Sequence, residues 1–374
     1  MIKKAQLNCK RTIRGDSIIQ LKDGKLLFYY SKELYDIYIY NEKTFKNLFE
    51  IDFFKPIYEF EKKKTHKLES NKEEDNADVD YFYYKKYNSN KNSIIELYKN
   101  RVLIGRDNYL IELNLYKKKY DYKIIRQFYN NTILDINELS DKRIIVMIKE
   151  KIIILKREKE EYIIKNEYPI KENWKIIPLS SKYKGYGEFN QYFSSVELPG
   201  HRLLLNSFST ELEFHNTGCV RGPPTEFSNS KIIFIDTNNF KEIKSTETFK
   251  VDNNHIILEK YIIIQAGEKT FVYDINSLNL IQNIYFPGAY DIFYKFDNKY
   301  IFSNFISENF LKMYKIENNN FIKLCEIESF IFKYLAGLRY NRKIMYNKSL
   351  FIMRYKRIIV FFFNTIYILK LPIF

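Results

Sequence analysis

The chain has 374 residues with 61 Lys and Arg against 46 Asp and Glu, a formal net charge of +15, and 45% of it is apolar and 17% aromatic. That much apolar matter excludes a disordered chain, and three isolated cysteines (Cys9, Cys219, Cys325) exclude a disulfide framework and point to a reducing compartment, cytoplasm or nucleus. The charge has two readings: a surface for RNA, DNA or an anionic membrane, or lysine enriched together with Asn, Ile, Tyr and Phe by A/T-rich codons.

The opening MIKKAQLNCKRTIRGD is charged and lacks the apolar run of a secretory signal. Within it, 5–13 predicts a strand. The first apolar–turn–apolar unit follows at 24–41, GKLLFYYSKELYDIYIYN. Then comes an irregular stretch, 61–91, with lysines, acids and tyrosines in succession, which reads as a mobile loop. Its DNADVD lacks the glycine and the distal glutamate of a calcium loop.

The unit returns at 100–115 (NRVLIGRDNYLIELNL) and at 143–156 (RIIVMIKEKIIILK). A second irregular stretch, 172–191, holds the only tryptophan, Trp174, with Tyr183 and Tyr186. A fourth unit runs from HRLLLNSFS (201–209) across a third irregular stretch, 215–230, to KIIFIDTNNF (231–240). The fifth is KYIIIQAGEKTFVYDINSL (260–278). The sixth, at 298–316, is flanked by the full set YDIFYKF, KYIFSNF, FLKMYKI and FIKLCEI. A fourth irregular stretch, 330–347, precedes the C-terminal RIIVFFFNTIYILKLPIF.

That last run is apolar enough to suggest a membrane anchor, but eight of its first fourteen residues match the unit at 143–156. The internal copy has Lys149, Glu150 and Lys151 at its centre. Three adjacent charges between two apolar runs describe two short strands and a turn, not a spanning helix. The tail is therefore read the same way, and no membrane insertion is expected.

Seven copies result, each opening at a basic residue: Lys25, Arg101, Arg143, Arg202, Lys260, Lys299 and Arg357. The least interrupted intervals, Arg101 to Arg143 and Lys260 to Lys299, are 42 and 39 residues. A period of this size with four short strands per unit is the signature of a propeller blade. The near-continuous apolar runs suit inner strands covered on both faces.

In period and strand order the whole chain resembles the WD40-like seven-bladed β-propeller superfamily. IYNEKTF, FIDTNNF and VYDINSL, with Asn41, Asp236 and Asp274, are similar to that family's third-strand ending, while its Gly-His and Trp-Asp dipeptides are absent. The resemblance implies an all-β, single-domain ring over 1–374. The last copy supplies three strands, so the N-terminal strand is expected to complete that blade, leaving no exposed edge.

With strands a to d in each blade, loops d–a and b–c share one rim of such a ring. The stretches 61–91, 172–191 and 330–347 are d–a connections and 215–230 is a b–c connection, so all four belong to that rim. Trp174, Tyr183, Tyr186, Arg221, Arg339, Tyr340 and Arg342 are the candidate interaction residues there, Trp, Tyr and Arg being the usual interface hot spots. A propeller tryptophan is as often a core or inter-blade residue, and Trp174 has both readings.

Chemistry has no comparable support. The four histidines are scattered without H-E-x-x-H, no G-x-S-x-G occurs, and Lys184-Gly185-Tyr186-Gly187 is not a phosphate loop. His215 and Cys219 have no second pair at ligand spacing, so no metal and no cofactor are expected. The sequence thus supports a non-enzymatic interaction scaffold, a propeller subunit of a larger complex that binds a protein partner. The alternative is a propeller that binds RNA or another polyanion, within a ribonucleoprotein assembly.

Overall fold

Short runs of Ile, Tyr, Phe and Val favour extended backbone, and most of the described residues are in strands. The computed structural model describes residues 6–12, 17–29, 36–41, 47–52, 57, 93–98, 100–116, 120–129, 131–175, 187–213, 225–249, 255–266, 269–285, 292–295, 299–304, 310–317, 320–328, 348–353, 357–362 and 365–370.

Strand β1 (Gln6–Thr12) precedes a first sheet of β2 (Ser17–Gln20), β3 (Leu26–Tyr29), β4 (Asp36–Tyr40) and β5 (Asn47–Asp52). The second sheet holds β6 (Ser93–Glu96), β7 (Arg101–Arg106), β8 (Tyr109–Leu115) and β9 (Tyr120–Gln127). The third has β10 (Ile133–Glu138), β11 (Arg143–Ile148), β12 (Lys151–Glu158) and β13 (Glu161–Pro169). After a 3-10 turn at Glu172–Trp174, the fourth has β14 (Gly187–Leu198), β15 (Arg202–Glu213), β16 (Thr225–Asp236) and β17 (Glu242–Phe249). The fifth has β18 (His255–Ile257), β19 (Tyr261–Ala266), β20 (Lys269–Asp274) and β21 (Leu280–Tyr285). The sixth has β22 (Ile292–Lys295), β23 (Tyr300–Asn304), β24 (Phe310–Glu317) and β25 (Asn320–Glu328).

The last sheet is made from both ends of the chain. Its order is β1, β28 (Thr365–Lys370), β27 (Arg357–Phe362), β26 (Lys348–Met353), with Gln6 opposite Lys370 and Thr12 opposite Thr365. The apolar C-terminal run is thus a pair of strands, and no helix among the described residues is long and apolar enough to cross a membrane.

All described strands pair antiparallel, and in each sheet the outermost pairing carries a register shift. The extra residue is Leu48 in β5, Ile125 in β9, Lys165 in β13, Ile243 in β17, Ile281 in β21 and Leu324 in β25. Strand β1 has the same irregularity, at Asn8 against β28. A bulge of this kind sharpens the local right-handed twist, so β1 repeats both the position and the deformation of the other outer strands.

Consecutive sheets pack face to face. In β11, Ile144, Val146 and Ile148 belong to the core shared with the second sheet, whereas Ile145 and Met147 belong to the core shared with the fourth. A period of two with both faces buried produces the continuous apolar run seen in the sequence. Similar cores join the first and second, fourth and fifth, and fifth and sixth sheets, and β26 lies beside both β22 and β2. Each fully buried Leu or Ile contributes roughly 1.5–3 kcal/mol.

Polar groups tie the same sheets together. The Glu96 carboxylate accepts the Lys22 N–H at 2.8 Å, one sheet back. Glu197 accepts the Ser140 N–H at 2.7 Å and its Oγ–H at 2.8 Å. Both glutamates immediately precede a leucine at the end of the first strand, Leu97 just after β6 and Leu198 last in β14. Both accept from the residue after the corresponding leucine of the preceding sheet, Leu21 or Leu139. Asp135 of β10 joins three first strands, accepting from Ser93 Oγ at 3.0 Å on one side and from Ser195 N and Oγ at 2.6 and 2.7 Å on the other.

Gly105 in β7 marks a close approach between two sheets: a Cβ there would lie 2.7 Å from Ile133 Cγ2. Gly105→Ala should therefore lower stability by about 1–3 kcal/mol, seen in urea denaturation as a lower midpoint with an unchanged slope.

Candidate interaction surface

The fourth sheet departs from the others on the rim that carries its b–c connection. Strands β14, β15 and β16 each run for 12 residues, against 6 for β7, β11 and β19. They stay in register throughout: Gly187 opposes Glu213 and Glu213 opposes Thr225, while Leu198 opposes Arg202 and Arg202 opposes Asp236. Strand β17 accompanies them only as far as Phe249 opposite Asn229. Taking 202–207 as the length common to second strands, 208–213 with 187–192 and 225–230 form a paired arm. At about 3.3 Å per residue it is roughly 20 Å long.

This corrects two sequence boundaries. Residues 187–191 and 225–230, expected to be loop, are strand. Their composition (GEFNQ, TEFSNS) lacks a β-branched apolar run, and cross-strand pairing makes up for it.

Of the two readings of Trp174, exposed platform or inter-blade core, the structure shows the second, which removes it from the candidate interaction residues. It is 1% exposed and sits in the core between the third and fourth sheets, with Leu139, Ile145, Phe193, Leu203 and Ile233. Its Nε1–H donates to Glu242 Oε2 at 2.7 Å, and Lys171 lies 5.2 Å from the ring centroid. A buried indole needs a hydrogen-bond acceptor, and β17 supplies one. Trp174 therefore fixes the connection leading to the arm and is no contact surface. Tyr183, Tyr186, Arg221, Arg339, Tyr340 and Arg342 lie outside the described residues, as do 61–91, 215–224 and 330–347.

Two of the basic residues that open the second strands are engaged with the following sheet. Arg143 Nη1 donates to the Thr237 carbonyl at 2.8 Å, and its Nε to Asp141 at 2.7 Å. Arg202 donates from Nη1 to the Asn276 carbonyl at 2.7 Å and from Nε to Pro199 O at 2.8 Å. Each reaches the third-strand turn of the following sheet. Asp236 and Asp274 organise those turns by accepting the N–H of Asn238 at 2.7 Å and of Ser277 at 2.7 Å. Hydrogen bonds from the Ser277 backbone outweigh burial and hold the Asp274 carboxyl below its usual pKa.

Sequence reasoning missed one buried cluster. Glu112 in β8 is 4% exposed, accepts the Tyr162 hydroxyl, and lies 3.9 Å from both Arg101 and Arg157. Burial, then the hydrogen bond to Glu112, push the Tyr162 hydroxyl well above its usual pKa. It remains a proton donor joining the second and third sheets and is no nucleophile. The only sequence signal was a glutamate inside YLIELNL, where an apolar residue was due. Among the described residues, no group of three His, Cys, Asp or Glu is placed to hold a metal ion.

No family model matches the chain and no curated protein matches it. Solved structures do. The β-propeller domain of Myceliophteria thermophila Cps50 (Swd1) aligns with TM-score 0.55 and 9% identity, over 98% of this chain and 100% of that one. A streptogramin B lyase aligns with TM-score 0.51 and 12% identity, over 98% and 97%. At these identities the likeness establishes the fold alone, a β-propeller, and one of the two neighbours is by its name an enzyme.

Glu242 gives a test of the Trp174 contact. Burial pushes its carboxyl up, but hydrogen bonds from Ser245, Trp174 and Asn173 and the charge of Lys171 outweigh burial, and its pKa lies below the usual value. A carboxylate with a depressed folded-state pKa stabilises the fold above its unfolded pKa of about 4.3, and that stability is lost as pH falls through the folded value. Trp174 is the single tryptophan, so its emission during acid titration follows this group. Glu242→Gln should remove this carboxylate's share of the acid-dependent stability, and Trp174→Ala should cost about 3–5 kcal/mol.

Proposed function

We propose that this β-propeller is seven-bladed, with its ring closed by β1 in the last blade, and that it is a non-enzymatic scaffold binding a protein partner within a larger assembly. The observation that carries this reading is the arm of the fourth sheet. Second strands of six residues suffice in β7, β11 and β19, whereas the fourth sheet carries six more paired residues on each of three strands. Rigid rings commonly carry function on such additions. The arm is also on the d–a and b–c rim, to which the other irregular stretches belong.

Closure rests on the pairing of β1 with β28 and on the outer-strand bulge that β1 shares with the other sheets. The polyanion alternative would draw on the basic starts of the second strands. Arg143 and Arg202 donate to carbonyls of the next sheet, which weighs against their serving phosphate. We infer a cytoplasmic or nuclear protein from its isolated cysteines.

Two experiments test the reading. Deleting residues 1–15 should abolish cooperative unfolding, because β28 then presents an unpaired edge; a folded, soluble product would overturn the closure. Replacing 208–230 by Asn-Gly, a two-residue hairpin joining Ser207 to Lys231, should leave cooperative unfolding intact. Affinity purification from native cells with nuclease treatment, read by mass spectrometry, should then lose the partners that the full chain retains. An unchanged partner set would remove the arm from the binding surface.

A further inference from the structure

We propose that the arm takes up a basic, extended segment of a partner protein, which adds as a strand along the free side of β14 at residues 187–192. The inference rests on the scaffold reading and names the chemistry of the partner.

Strand β14 is the first strand of its sheet, and among the described residues no strand pairs its other side. In the ring its lower half is occupied, since Ser195 meets Asp135 and Asn137 of the third sheet. The upper half, 187–192, continues past the length of the neighbouring first strands. An edge strand offers a row of backbone donors and acceptors to any incoming strand, and proteins block unwanted pairing with lysine or proline on that edge. From Gly187 to Leu198 β14 contains neither. Six residues of edge accept a strand of similar length, in the manner of β-augmentation.

The charge of the arm selects the occupant. The runs 187–192, 208–213 and 225–230 contain Glu188, Glu211, Glu213 and Glu226 and no Lys or Arg, in a chain with 61 basic residues and a net charge of +15. Register puts Glu188, Leu212 and Glu226 in one row on one face of the sheet. Phe189, Glu211 and Phe227 form the next row, on the opposite face. A strand laid beside β14 shares these two faces alternately. Lysine or arginine at every second residue then falls in line with Glu188 and Glu226, and apolar residues between them fall in line with Phe189 and Phe227. Opposite charges and aromatic–aliphatic pairs across strands each favour such pairing.

The same placement disfavours the other occupants. Nucleic acid would bring phosphate to carboxylates. Two arms of two copies, edge to edge, would gather both sets of four glutamates in one place, and like charges across an interface are costly.

The test uses the full-length protein and a fluorescein-labelled ten-residue peptide alternating Lys and Val, with an alternating Glu–Val peptide as control. Fluorescence anisotropy should show binding of the Lys–Val peptide only. A variant carrying Glu188→Lys, Glu211→Lys and Glu226→Lys should weaken it by about tenfold or more. Hydrogen exchange should slow at the amides of 187–192 when the peptide binds. Equal binding of the two peptides, unchanged affinity in the triple variant, or protection away from 187–192 would overturn the proposal. So would a dimer in sedimentation that the triple variant dissociates, since the edge would then belong to a second copy. If the Asn-Gly variant loses its native partners while the Lys–Val peptide fails to bind, the scaffold reading stands and only the basic partner falls.

Discussion

The structure depends on a single constraint: its inner strands are apolar on both faces. In β11, neighbouring residues alternate between two different cores, so a sheet built on such strands has no face to offer water. One sheet alone would expose both apolar faces, and an open row of them would leave one exposed at each end. At roughly 25 cal/mol for each Å² left uncovered, the arrangement that satisfies the constraint is one in which every sheet has a neighbour on either side. Adjacency of β26 to both β22 and β2 fits that requirement.

Packing of this kind is non-directional, and the polar contacts supply alignment. Glu96 and Glu197 each reach back to a backbone N–H of the preceding sheet. Arg143 and Arg202 reach forward to a carbonyl of the following one. Charged hydrogen bonds to backbone contribute about 1.5–3 kcal/mol each, and their geometry sets the angle between neighbours. Side chains that would ordinarily suggest ligand binding are thereby committed to the frame, and the distinctive part of the surface is left to the arm of the fourth sheet.

Much of the frame was legible from residues. The match between 143–156 and 357–370 identified the C-terminal run as strands, and the need for a fourth strand pointed to 5–13, where β1 lies. What escaped was whatever composition does not encode. The arm's GEFNQ and TEFSNS read as loop because strand pairing, not side-chain propensity, holds them extended. Trp174 had two readings, surface or core, because the partner that decides between them, Glu242, is 68 positions away. Glu112 stood out from its strand, but the Tyr162 and Arg157 that justify its burial belong to another sheet.

The bulge common to all the outer strands bears on how the chain is cut. Strand β1 has the deformation of the outer strands that follow their own third strands directly, and Gln6 lies opposite Lys370 much as Glu242 lies opposite Ile235 in the fourth sheet. In space, then, the seventh unit is whole; only its covalent connection is displaced. A circular permutant joining Lys370 to Gln6 through a short turn, with new ends between β1 and β2, would convert the split unit into an ordinary repeat. The pairing that holds the last sheet together is thus separable from the covalent order in which its four strands are connected.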